Sequence, residues 1–141
     1  MKITKITWII TMIIMTGTLI FSLIGNFLFG AMALVFLKHQ PLSFYTIAPF
    51  TSPIMTLILI IAFILFYKKN VFGFFLSILY GVLVLLAWFI IAIDLQYGNT
   101  LIETLFQNGM YFPYIAIPIL IFTILSKNIF DFSKIKLVIK K

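Results

Sequence analysis

The chain has 141 residues, of which 64% are hydrophobic and only 9% charged, with a formal net charge of +7. A soluble domain carries roughly 25% charged residues, and a globule this small exposes too much area for its volume to hide so many apolar side chains, so a soluble fold is excluded. The lack of cysteine excludes disulfides, thiolate metal sites and cysteine nucleophiles.

The first apolar run extends from Trp8 to Leu37. At about 1.5 Å per residue it is longer than a hydrocarbon layer of about 30 Å, so it must tilt or project beyond the layer. Lys2 and Lys5 ahead of an apolar run, with Ala31-Met32-Ala33 further on, have the outline of a secretory leader. A leader's apolar region spans roughly 7–15 residues, about half this run, so an uncleaved spanning helix over about 8–37 is expected.

Residues 38–53 contain Pro41, Pro49 and Pro53 together with Phe44, Tyr45 and Phe50. The prolines argue against a continuous helix, and the aromatics hold such a segment at the membrane interface. Ser52-Pro53 has the form of an N-cap followed by proline at the first helical position. A second span over about 50–67 follows, with a start nearer Thr46 as the alternative. Lys68, Lys69 and Asn70 interrupt the grease and form a tight turn. A third span runs over 71–93, ended by Asp94.

Residues 94–112 form the next connection. Thr100-Leu101-Ile102-Glu103 has the capping-box spacing, and Leu101, Ile102, Leu105 and Phe106 share a face, which predicts a short surface helix over about 100–108. The fourth span covers about 112–127. Pro118 inside it deprives the Tyr114 carbonyl of its helical donor and predicts a bend. The tail, 128–141, is basic and does not segregate its lysines to one helical face.

The expected fold is therefore all-α: a polytopic membrane protein with four transmembrane helices in an up-down bundle. The charge consists of ten lysines and no arginine. Four spans place Lys2, Lys5, Lys68, Lys69, Lys127, Lys134, Lys136, Lys140 and Lys141 on one side and leave only Lys38 on the other. This bias puts both termini in the cytoplasm of a bacterial-type cell. These lysines flank apolar runs, so anionic lipid headgroups, not nucleic acid, are the expected partner.

Two packing faces stand out. Thr4, Thr7, Thr11, Thr18, Ser22 and Gly25 fall in one sector of the first helix at about 100° per residue, with Asn26 beside them as the one side-chain amide deep in any span. Gly73, Ser77 and Gly81 repeat a small residue every fourth position of the third helix. Small and hydroxylated residues let helices approach closely and bond across the contact. The first-helix face serves internal packing, a partner's helix or the lining of a polar path; the third-helix face receives another helix of this chain or a second copy of it.

Chemistry-bearing residues are sparse. Asp94, Glu103 and Asp131 are the only acids and lie at span ends or beyond them. Proton-coupled carriers usually need an ionisable group inside the membrane, and no span here holds one. His39 is the single histidine and cannot build a metal site alone, and no glycine-rich phosphate loop is present. No cofactor is expected. The leading expectation is a non-enzymatic helper of accessory, assembly or immunity type that binds other membrane components. The alternative is a small oligomeric transporter or channel using Asn26, the hydroxyls and the backbone around Pro118. An enzyme acting on lipid would have to use Asp94, Glu103 and His39.

Overall fold

A computed structural model describes the backbone of residues 2–36, 44–94 and 112–132, and the side chains of 3–27, 51–90 and 114–132. The described residues are all-helical: α1 (Lys2–Phe36), α2 (Phe44–Tyr67), α3 (Val71–Asp94), α4 (Phe112–Leu125) and a 3-10 turn, Lys127–Ile129. Each long helix packs on two others, so that α1, α2, α3 and α4 form a closed ring in chain order. Trp8 meets the end of α2 while Asn26 meets its middle, so α1 and α2 are antiparallel. The tight 68–70 turn makes α2 and α3 antiparallel in the same way. Phe74 lies beside Phe130, and Gly81 beside Leu120, which sets α3 against α4.

Within each apolar run the helix lets backbone amides and carbonyls bond to one another, so that packing the run away from water leaves few of them unpaired. α1 is apolar and long enough to cross a bilayer over Ile3–Phe27, and α3 over Val71–Ile90; the described apolar stretches of the other two helices, Thr51–Tyr67 and Tyr114–Leu125, are shorter. Only 17% of the α1 stretch is buried within the protein, unlike the core helix of a soluble domain. Phe21, Phe27 and Phe72 are more than two-thirds exposed.

α2 begins at Phe44 and runs through Pro49 and Pro53, so the expected break in helix over 38–53 does not hold from residue 44 onward, and Ser52 is a mid-helix residue and not an N-cap. Its hydroxyl bonds to Asn26 on α1 instead of to its own helix's amides. That tertiary partner is invisible to a local capping rule. α1 likewise begins at Lys2, ahead of the expected Trp8; Thr7 in this first stretch is buried, and such packing outweighs the weak helix propensity of its β-branched residues. α4 closes at Leu125, and the chain tightens into the 3-10 turn. The expected surface helix over 100–108, and Lys38, His39, Glu103, Lys134, Lys136, Lys140 and Lys141, lie outside the described residues.

The core is filled. Met15, Leu59, Ala62, Phe66, Ala116 and Ile119 are completely buried. The third-helix face of small residues receives three helices in turn. At Gly73 an added Cβ would strike the Phe66 amide nitrogen and the Leu65 carbonyl carbon and lie 2.8 Å from Phe66 Cα, so α2 and α3 touch backbone to Cα. Ser77 is fully buried, donates to the Gly73 carbonyl at 2.7 Å, and meets Met15 Sδ of α1 at 4.0 Å. A Cβ on Gly81 would meet Leu120 Cγ of α4 at 2.7 Å. This face is occupied within the chain.

Candidate functional sites: a polar clasp and a basic aromatic end

The hydroxyl stripe of α1 divides into two parts. Thr7, Thr11 and Thr18 are buried, and each hydroxyl donates to a carbonyl of its own helix, at Thr4, Thr7 and Ile14 respectively, 2.8–2.9 Å away. Such back-bonding satisfies the hydroxyl without needing water or a partner chain. Ser22, farther along, lies within hydrogen-bonding reach of the Tyr80 phenol of α3. Gly25 and Gly17 meet nothing that an added Cβ would touch within 4 Å. The stripe is thus a packing face through Thr18 that reaches α3 at Ser22 and leaves room for a side chain only at Gly25.

Asn26 anchors a clasp between α1 and α2. Its Nδ2 donates to Thr56 Oγ1 at 2.8 Å, its Oδ1 accepts from the Ser52 hydroxyl, and Thr56 Oγ1 donates to the Ser52 carbonyl at 2.9 Å. Sequence reasoning singled out Asn26 but not Ser52 or Thr56 as its partners. Between α1 and α4 runs an open apolar groove of about 360 Å³ lined by Ile14, Gly17, Thr18, Phe21, Tyr114, Ile115 and Pro118. Pro118 faces this groove from inside α4. Two buried polar atoms, Trp88 Nε1 and Thr123 Oγ1, lack a hydrogen-bond partner among the described residues.

The opposite end of the ring is basic and aromatic. Leu65 to Asn70 close α2 in a Schellman motif. The Asn70 amide donates to the Leu65 carbonyl at 2.9 Å, and the Lys69 amide to the Phe66 carbonyl at 3.0 Å. Lys69 holds the left-handed position, φ 54°, where glycine is the usual residue. Asn70 then caps α3 by accepting the Phe72 amide at 2.9 Å. The Trp8 indole donates to the Phe66 carbonyl at 3.3 Å and stacks on Tyr67 at 6.4 Å, while Lys69 Nζ lies 5.6 Å from its ring centroid.

The start of the tail folds back onto this end. Phe130 is buried and packs on Phe66 at 4.9 Å and Phe74 at 5.5 Å, and Phe132 packs on Phe74 at 5.4 Å. Lys127 Nζ sits 5.9 Å above the Phe132 ring. Sequence reasoning treated 128–141 as a basic tail and missed this aromatic plug. The alternation Phe130-Asp131-Phe132 was its only trace. Among the described residues no three His, Cys, Asp or Glu side chains converge. No protein-family model, curated protein or solved structure matches the chain.

Proposed function

We propose that the chain is a four-span protein of the cell membrane, with both termini cytoplasmic, that acts without catalysis by binding other membrane components, as an accessory, assembly or immunity-type helper. Two helices that meet the length and hydropathy needed to cross a bilayer support the membrane part of this reading. The antiparallel ring supports four crossings, because neighbours of alternating direction return both termini to one side. The lysine bias assigns that side to the cytoplasm.

One observation carries the choice of a binding role over conduction. The interior of a single copy holds completely buried Met15, Leu59, Phe66 and Ile119, while the buried Thr7, Thr11 and Thr18 hydroxyls are committed to their own helix. A polar path needs groups free to replace a solute's hydration, and among the described residues only the Trp88 indole N–H and the Thr123 hydroxyl are buried without a partner, too few to line one. What the protein offers instead is a broad apolar exterior and a basic end. Isolation from mild detergent tests the proposal: a stoichiometric second membrane component is expected, and a lone homo-oligomer would contradict it.

The second reading, a transporter or channel built from several copies, draws on the half-buried Asn26–Ser52–Thr56 clasp. Replacing Asn26 and Thr18 with leucine separates the two. A path lined by those groups loses transport, whereas a helper keeps its partner.

A further inference from the structure

We infer that the basic aromatic end holds an anionic phospholipid at a defined site, its phosphate against Lys5, Lys68 and Lys69 and its acyl chains along α2. This rests on the proposed placement of that end at the cytoplasmic leaflet. Three observations carry it. First, Lys69 occupies a left-handed backbone position, φ 54°. That conformation disfavours every residue with a Cβ, and glycine would fill it freely. A lysine there is a structural cost, and what it contributes in return is a cation fixed at the helix end. Second, its ammonium is steered by Trp8, which is itself anchored to the Phe66 carbonyl and stacked on Tyr67. Lys5 lies one helical turn before Trp8, and Lys5 and Lys68 are exposed. Third, the site continues into an exposed apolar stripe. Tyr67, Ile64, Ile61 and Leu57 follow one another at spacings of three and four along α2, and all are exposed.

A free phosphate would use the lysines and ignore that stripe. An acidic peptide would not lie along an aliphatic track directed into the bilayer. Only an amphiphile uses both, with an indole and a phenol at the boundary where such rings reside. Asp131 is the only acid among the described residues at this end, so the local balance stays positive.

The test uses the full chain in a non-ionic detergent, with thermal unfolding followed while lipid is titrated. Phosphatidylglycerol should raise the midpoint saturably, and phosphatidylcholine with the same acyl chains and inorganic phosphate should not. Lys69→Gly should weaken the phosphatidylglycerol response about fivefold, the value of one lysine at a headgroup. Because glycine suits that backbone position, the variant keeps its fold, and a weaker response then reports the lost charge. Adding Lys5→Gln and Lys68→Gln should weaken it about a hundredfold. Equal responses to the two phospholipids, an equal response to phosphate, or an unchanged Lys69→Gly would overturn this site and leave the bilayer reading standing. A chain that dissolves without detergent would overturn both.

Discussion

Four alanine substitutions ask how closely the helices approach. A Cβ at Gly73 would lie 2.8 Å from Phe66 Cα and closer still to the Phe66 nitrogen and Leu65 carbonyl carbon. Those are backbone atoms in the last turn of α2, so no rotamer change relieves the clash. Carbon contacts prefer about 3.5–4.0 Å, and the Leu65 carbonyl carbon is nearer than Phe66 Cα, so α2 and α3 must separate by about 1 Å or more, and Phe66, Phe74 and Phe130 lose their fit. Overpacking of this kind costs about 1–3 kcal/mol. Alanine's helix propensity returns up to about 1 kcal/mol, less here because Gly73 lies in the first turn of α3. Gly73→Ala should therefore destabilise by about 1–2 kcal/mol. At Gly81 the obstacle is the tip of Leu120, a side chain that can swing aside, so Gly81→Ala should fall near zero. Gly17 and Gly25 meet nothing within 4 Å, and alanine there should stabilise by up to about 1 kcal/mol. Reversible unfolding in mixed detergent micelles, followed by far-ultraviolet circular dichroism, ranks the four. A Gly73→Ala variant as stable as Gly17→Ala would refute the backbone contact between α2 and α3.

Asn26→Leu removes two bonds of the clasp but leaves the Thr56 hydroxyl its carbonyl partner, so the loss should be about 0.6–1.7 kcal/mol in the same unfolding assay. Thr123→Val replaces a buried hydroxyl lacking a partner with a methyl of similar volume and should stabilise by about 1 kcal/mol; a destabilisation would mean that the hydroxyl has a partner after all. Phe130→Ala empties the plug between Phe66 and Phe74 and should cost about 3 kcal/mol, with proteolysis after Leu125 rising in parallel. An unaffected Phe130→Ala would show that the tail does not dock.

The α2–α3 hairpin was the part most open to sequence reasoning, because two lysines and an asparagine cannot sit inside hydrocarbon and have to mark a turn. The left-handed Lys69 has no local signature, since residue type favours glycine at such a position and only the tertiary contact with Trp8 singles out the lysine. The faces that carry Thr11 and Ser77 can be read from spacing alone, and both residues are fully buried. Their partners cannot be read so, because periodicity identifies a face and never what covers it. Ser52-Pro53 misled for the same reason: a capping rule considers neighbours in sequence, and the hydroxyl's partner, Asn26, is on another helix. The Phe130 plug left almost no signal, as two aromatics in a lysine-rich tail resemble an interfacial anchor until Phe66 and Phe74 are brought beneath them.

The placement of the chain in the membrane is tested most directly by reporters active on one side only, inserted at the 68–70 turn, in the 95–111 connection and after Lys141. The account predicts cytoplasmic activity at the turn and after Lys141, and external activity in the connection. An external signal after Lys141, or the same side for the turn and the connection, would contradict it.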